Sequence, residues 1–235
     1  MKNTIDRREF IKTAGATALA ASPIGFLTGC RDKTKSGIGE TQEAGEMTYR
    51  INRSKNDKVS ILGYGCMRWP MKKNEEGNDI IDQEKVNELI DYAIEKGVNY
   101  FDAAPVYLQG QCEAATGEAL SRHPRESYFV ATKLSNFKDA SRAEGIRMYK
   151  ASFEAFRTDY LDYYLLHSIK NAATFTKRFV ENGLIDFLME EREAGRIRNL
   201  GFSFHGNQEG FDELMALHEK YHWDFVQIQL NYVDW

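Results

Sequence analysis

From residue 48 onward, short apolar runs alternate with longer segments in which apolar residues recur every three or four positions. The short runs predict buried strands, since a strand covered on both faces shows no polar alternation. Residues 82–96 predict a helix, and Gly97 follows as a stop signal; the apolar residues on one face of that helix are Val86, Leu89, Ile90, Ala93 and Ile94. Strands that alternate with helices at this spacing favour βαβ units and a parallel sheet.

The same pattern predicts the order of elements along the rest of the chain. A hairpin comes first, formed by residues 48–51 and 59–62. Predicted helices cover 82–96, 112–121, 141–157, 179–194 and 211–221, and predicted strands cover 62–65, 100–102, 128–132, 163–166, 198–203 and 224–230.

This succession predicts an α/β fold of the (β/α)₈ barrel type, which has eight strands in about 250 residues. Only about six of the eight βα units can be found before Trp235. A parallel barrel hides its sheet edges only by closing. We therefore expect a C-terminally truncated fragment of a longer gene product, with exposed edges near Leu62 and Gln229 and weak cooperative unfolding.

Candidate catalytic residues lie where three predicted strands end. Asp102 ends the strand at 100–102, Lys133 follows the strand at 128–132, and His167 follows the strand at 163–166. Tyr107 comes five residues after the aspartate, in a turn that contains Pro105. In a parallel barrel these strand ends converge on one mouth, where catalytic groups lie.

In these residues the chain resembles the aldo-keto reductase family, over about Thr48 to Trp235. Asp102, Tyr107, Lys133 and His167 match the catalytic tetrad of that family in type, order and strand context. The resemblance implies an oxidoreductase that reduces a small aldehyde or ketone to an alcohol with NADP(H) as cofactor, NAD(H) being the alternative.

The resemblance also implies roles for the four residues. Tyr107 would be the general acid, and because a free tyrosine has a pKa near 10, we expect the Lys133 ammonium to lower that pKa. Asp102 would keep Lys133 charged and aimed, and His167 would donate a hydrogen bond to the substrate oxygen.

Further site residues come from the same resemblance. Ser203 and Gln229 match residues that contact the nicotinamide, although Phe204 stands where the family usually has asparagine. Trp69 is expected to line the substrate pocket. The segments 66–70 and 202–205 most resemble a branch whose members often carry a C-terminal iron–sulfur extension, and a cluster is expected only if such an extension exists.

Two alternative functions remain open, and the composition argues against other classes of function. His218, Glu219 and His222 fit the H-E-x-x-H pattern of zinc metallohydrolases, but no third ligand follows at a plausible spacing. The second alternative is a non-catalytic or inactive nicotinamide-binding module. A net charge of −4 without a basic patch argues against nucleic-acid binding, and three scattered cysteines are too few for a disulfide framework or an all-cysteine zinc site.

The first 29 residues predict targeting rather than fold. Arg7 and Arg8 precede an apolar run of residues 13–29 that contains Pro23, which resembles a twin-arginine signal peptide. The run ends before Cys30 in a pattern that resembles a lipobox, so we expect lipid attachment to that cysteine. Residues 31–47 are polar and predict a flexible tether. Together these features predict export by the twin-arginine machinery and a lipid anchor on the periplasmic or cell-envelope side of a bacterial membrane.

Overall fold

The computed structural model describes residues 46–138 and 140–230 of the 235-residue chain. The predicted signal peptide and Cys30 therefore lie outside the described residues. Within the described part, no helix is both long enough and apolar enough to cross a membrane.

The helices and strands follow the predicted alternation. An N-terminal hairpin (β1 and β2) is followed by a first barrel strand (β3), a second hairpin (β4 and β5), and then strands that alternate with helices. The strands are β1 Tyr49–Asn52, β2 Asp57–Ser60, β3 Tyr64–Gly65, β4 Met71–Lys73, β5 Asp79–Ile81, β6 Tyr100–Asp102, β7 Phe129–Leu134, β8 Leu161–Ile169, β9 Ile197–Phe204 and β10 Phe225–Ile228, and the helices are α1 Gln83–Glu95, α2 Cys112–Leu120, α3 Arg142–Phe156, α4 Ala172–Phe175, α5 Leu184–Glu193, α6 Gln208–Ala216 and α7 His218–Tyr221.

The six strands β3 and β6 to β10 form one parallel sheet, in the order β10-β9-β8-β7-β6-β3. The sheet is curled into a half-barrel with helices between its strands, so the predicted incomplete (β/α)₈ barrel is confirmed. Its outer strands in the described part are β3 and β10. Leu62 and Leu230, which lie beside them, are 59% and 62% exposed.

Alternation along the strands decides which side chains enter the barrel, because successive residues of a strand point to opposite faces. On the inner face, Ala131, Tyr163 and Leu165 form a small apolar cluster against Val59 of the first hairpin. On the outer face the strands pack against the helices through large apolar residues. Phe101, Tyr164, Leu166, Leu200 and Phe202 belong to this main core.

The amino-terminal ends of the barrel strands are closed by the first hairpin through polar contacts. The Tyr163 hydroxyl accepts from Asn52 Nδ2 at 3.0 Å and donates to Asp57 Oδ2 at 3.0 Å. Asn199 joins the same network by accepting from Asn52 Nδ2 at 3.2 Å. We call this end of the barrel the floor, and the opposite end, where Asp102 and His167 lie, the mouth.

Beside the floor, the buried Asp162 carboxylate joins three segments of the chain. It accepts from Arg125 Nη2 at 2.6 Å, from Arg198 Nη1 at 3.1 Å and from the Val130 backbone N–H at 2.9 Å. Both carboxylate oxygens are therefore satisfied, which offsets part of the cost of burying the charge.

The structure departs from the predicted elements in three places. The β4–β5 hairpin was not predicted, because all three residues of Met71–Lys73 are exposed and show no apolar alternation. The helix predicted over 179–194 begins only at Leu184 and is preceded by a π-helical turn, Thr176–Val180. The helix predicted over 211–221 is divided into α6 and α7 at Leu217, although no glycine or proline marks the break.

Candidate active site at the mouth of the barrel

Six of the predicted site residues line one cleft at the mouth. Asp102, Lys133 and His167 lie toward the carboxyl ends of β6, β7 and β8, and Tyr107 lies in the loop that follows β6. The cleft has a volume of about 370 Å³, within the range typical of small-molecule sites. It is lined by Met67, Asp102, Tyr107, Lys133, His167, Ser203, His205, Gln227, Ile228 and Gln229.

Asp102 and Lys133 form a largely buried ion pair. Lys133 Nζ donates to Asp102 Oδ1 at 2.6 Å and to the Ala103 carbonyl at 2.7 Å. Burial raises the pKa of Asp102, while the Lys133 ammonium and the Gln227 side chain act in the opposite direction. Asp102 Oδ2 is buried and has no hydrogen-bond partner within the described part of the chain. The pair thus fixes the ammonium at the mouth, but its own polar atoms are not all satisfied.

Tyr107 stands between this ion pair and His167. The Lys133 ammonium lies 5.2 Å from the centre of the Tyr107 ring, and the rings of Tyr107 and His167 meet edge to face at 5.8 Å. Burial, reinforced by the charge of Asp102, raises the pKa of Tyr107 to about 12. The prediction that this pKa is lowered is therefore wrong for this arrangement, because burial and the charge of Asp102 set its direction. The phenol is protonated throughout the physiological range.

His167 is a neutral imidazole held from two sides. Burial, reinforced by the charges of Lys133 and Arg178, lowers the pKa of His167 to about 3. Its Nδ1 lies 2.5 Å from Ser135 Oγ. Arg178 Nη1 donates to the His167 carbonyl at 2.7 Å and fixes the main chain at the same point.

The residues predicted to contact a nicotinamide line the same cleft, from β9 and from the position just after β10. Ser203 on β9 is buried, and its hydroxyl accepts from the Ser168 backbone N–H at 2.7 Å. Gln229 Oε1 lies 2.6 Å from His205 Nδ1. These amide and hydroxyl groups are of the types that suit the carboxamide end of a nicotinamide, so the donor set fits that group.

Among the other residues that the sequence singled out near the cleft, some are buried and some line it. Phe204 is buried and packs against Phe211, so it does not line the cleft, whereas the next residue, His205, does. Trp69 is also buried: its indole N–H donates to Thr116 Oγ1 at 2.9 Å and its ring stacks on Tyr64. Met67, two residues earlier, lines the cleft and is 52% exposed. A substrate-lining role for Trp69 stays a prediction.

Sequence reasoning missed three residues that support this site: Ser135, Arg178 and Gln227. Ser135 and Arg178 hold His167, and Gln227 lies beside Asp102. A signal existed for Gln227 alone, because it lies two residues before Gln229 in the predicted strand 224–230, and residues two apart in a strand share a face. Arg178 comes from the unpredicted π-helical turn, and Ser135 is of a residue type too common to stand out.

Two further clefts lie near the strand ends. One, of about 550 Å³, adjoins the mouth through Ser135 and is lined by Val106, Phe137 and Met148 among others. A larger one, of about 700 Å³, lies by Arg125 and Tyr128 near the start of β7 and contains none of the predicted site residues. Size alone therefore does not mark the site, and we place it where the perturbed ionisable groups converge.

The H-E-x-x-H motif does not form the helical pair that zinc binding requires. His218 begins the four-residue helix α7, and His222 lies beyond its end with a φ of 50°. The two rings meet edge to face at 6.2 Å. Among the residues described by the structure, no group of three or more histidine, cysteine, aspartate or glutamate side chains is placed to hold a metal ion.

Comparisons with known proteins agree on one family. The model of the aldo/keto reductase family matches residues 61–235. The uncharacterized oxidoreductase YqkF of Bacillus subtilis is 31% identical over 154 residues, which cover 62% of this chain and 45% of that protein. The protein tas of Escherichia coli is 28% identical over 195 residues, which cover 68% of this chain and 52% of that protein. The chain thus spans about half the length of these curated relatives.

Solved structures show the same fold. An aldo-keto reductase from Bacillus halodurans, in its holo form, has a TM-score of 0.62 and 26% identity, and the match covers 79% of this chain and 58% of that chain. An aldo/keto reductase from Klebsiella pneumoniae in complex with NADP and acetate has a TM-score of 0.55 and 23% identity, over 72% of this chain and 53% of that chain. The second match speaks for the fold alone.

Proposed function

Because the chain belongs to the aldo/keto reductase family, we propose that it is part of a nicotinamide-dependent oxidoreductase that reduces an aldehyde or ketone to an alcohol. The observation that carries this proposal is the Lys133–Asp102 ion pair in one cleft with Tyr107 and His167. When bound, a reduced nicotinamide supplies the hydride that no protein side chain can supply. NADP(H) is the proposed cofactor, with NAD(H) as the alternative.

The proton comes from Tyr107. As the carbonyl carbon gains hydride, its oxygen becomes an alkoxide, and the proton passes from the Tyr107 hydroxyl to that oxygen. A phenol with a pKa of about 12 is still a far stronger acid than an alcohol, so the transfer runs downhill. The phenolate that remains lies near the Lys133 ammonium, which stabilises it. His167 is neutral and orients the carbonyl by donating a hydrogen bond to its oxygen.

Ser203 and Gln229 would hold the carboxamide end of the nicotinamide. The apolar side chains Val106, Phe137 and Met148 line the adjoining cleft and suit the carbon skeleton of an apolar substrate. With this division, polar groups fix the reacting end of each molecule and apolar groups accept the rest.

The test is aldehyde-dependent oxidation of NADPH by the full chain, with NADH run beside it. We expect turnover that falls by about 10²–10⁴ in Tyr107→Phe, the loss typical of a general acid. Tyr92→Phe is the matched control, because Tyr92 is 61% exposed and lies outside the cleft. Cofactor binding without turnover by the wild-type chain would instead favour the non-catalytic alternative.

We also propose that the protein is exported by the twin-arginine route and anchored by lipid on Cys30. The support is the order of Arg7, Arg8, the apolar run and Cys30 in the sequence. Replacement of both arginines by lysine should leave precursor in the cytoplasm, and Cys30→Ala should release the protein from membranes. Membrane-bound Cys30→Ala protein after fractionation would contradict lipidation.

A further inference from the structure

Ser135 lies directly behind the imidazole of His167. It is the first residue after β7, it is 3% exposed, and its Oγ is 2.5 Å from His167 Nδ1. His167 itself is 7% exposed and lines the mouth cleft. Since the two ring nitrogens lie on opposite sides of the imidazole, contact of Nδ1 with Ser135 leaves Nε2 as the nitrogen available to a ligand.

The direction of this hydrogen bond follows from an accounting of donors and acceptors. A neutral imidazole carries one hydrogen, so its Nδ1 either accepts from Ser135 or donates to it. His167 Nδ1 is the only partner of the Ser135 hydroxyl within the described part of the chain. If Nδ1 donated, the hydroxyl hydrogen would be buried without an acceptor, which is unfavourable. If Ser135 donates, both groups are satisfied.

We infer that Ser135 donates its hydroxyl hydrogen to His167 Nδ1 and thereby fixes the tautomer in which Nε2 carries the hydrogen. Ser135 is then a positioning residue: it acts on a substrate only through His167. The inference deepens the proposed function and rests on it for its catalytic meaning, because an Nε2–H donor is what a carbonyl oxygen requires.

The surroundings of the ring explain why one tautomer can be held. Arg178 anchors the main chain of His167 and also donates from Nη2 to Asn136 Oδ1 at 2.8 Å, which fixes the residue next to Ser135. The rings of Tyr107 and Phe137 lie 5.8 Å and 5.0 Å from the imidazole. The ring therefore has little freedom to turn away from Ser135.

The tautomer can be measured directly by nitrogen-15 NMR of the full chain labelled at histidine. The chain has five histidines, and the His167 signals are assigned by their loss in His167→Gln. We expect a protonated, pyrrole-like Nε2 and a bare, pyridine-like Nδ1 for His167 near neutral pH. The opposite pattern in the wild-type protein overturns the inference whatever the turnover, so this result is separate from the fate of the proposed function.

Variants at Ser135 then test the cause. Ser135→Ala should give a mixture of tautomers and lower kcat by about three- to tenfold, the effect of one lost hydrogen bond, with an unchanged Kd for NADPH. Ser135→Thr retains the hydroxyl and should restore both the spectrum and kcat. A purely structural serine would leave the His167 spectrum unchanged in Ser135→Ala, and that result would refute the inference. If Ser135→Ala does not fold, Ser135→Cys, whose thiol is a weak donor, serves in the same comparison.

Discussion

The two ends of the same barrel strands differ in how completely their polar groups are satisfied. At the floor, Tyr163 accepts from Asn52 and donates to Asp57, and the Asp162 carboxylate accepts three hydrogen bonds. At the mouth, Asp102 Oδ2 is buried and has no hydrogen-bond partner among the residues that the structure describes. The pKa of His167 is about 3 at the mouth and that of Tyr107 about 12.

This difference separates a structural network from a functional one. Buried polar groups that are fully hydrogen-bonded stabilise a fold, whereas a site that must bind a ligand keeps polar capacity unused until the ligand arrives. We therefore expect substitutions at the floor to change stability and substitutions at the mouth to change chemistry.

The largest effect on stability is expected at Asp162. Asp162→Ala leaves Arg125 and Arg198 without their carboxylate and a backbone N–H without its acceptor, so it should lower the free energy of unfolding by about 3–5 kcal/mol. Urea denaturation measures this loss, and kcat per folded molecule should be unchanged.

The control is Asp159→Ala, three residues away. Asp159 is exposed, and its substitution should change the free energy of unfolding by no more than about 0.5 kcal/mol. Equal losses in the two variants would show that the buried carboxylate has no special role at the floor.

A smaller, pH-dependent effect is expected at His167. Its pKa is about 3 in the folded protein, below the ordinary value of 6.5, so between these values the unfolded chain binds more protons and stability falls as the pH falls. Relative to His167→Asn, the wild-type protein should lose about 2 kcal/mol between pH 7 and pH 5. Parallel pH curves for the two proteins would contradict a buried neutral imidazole.

The smallest effect is expected at His222, which belongs neither to the polar network at the floor nor to the cleft at the mouth. Its φ of 50° is a left-handed conformation that costs a residue with a side chain but not glycine. His222→Gly should therefore be more stable than His222→Ala by about 0.5–1 kcal/mol in thermal unfolding. Turnover should be unchanged in both variants. A loss of turnover in His222→Ala would instead favour the zinc metallohydrolase alternative.

Much of the barrel could be predicted from the sequence because its signals are local. The apolar runs that end at Asp102 and His167 are buried strands whose boundaries lie within a few residues of the predicted ones. The break at Leu217 and the turn at Thr176–Val180 could not be predicted, because tertiary packing rather than a local glycine or proline sets them. The β4 strand of the second hairpin is exposed along its length and lacks an apolar pattern.

For the candidate site, the sequence predicted several residues that line the cleft but not their protonation states. Strand-end position and residue type were enough to select Asp102, Lys133 and His167. The pKa of Tyr107 was predicted in the wrong direction, because it depends on burial and on how strongly Asp102 pairs with Lys133. Such quantities arise only from the three-dimensional arrangement. The same is true of the Ser135 contact, which joins two strands.

A matched pair of tyrosine substitutions tests the division between mouth and floor most directly. Tyr107→Phe and Tyr163→Phe each remove one phenolic oxygen, from opposite ends of the barrel. The division predicts that Tyr107→Phe lowers kcat by about 10²–10⁴ at an unchanged Tm. Tyr163→Phe should lower the free energy of unfolding by about 1–3 kcal/mol at an unchanged kcat, because Asn52 and Asp57 each lose one hydrogen bond. Full activity in Tyr107→Phe, or a comparable loss of activity in both variants, would contradict the account.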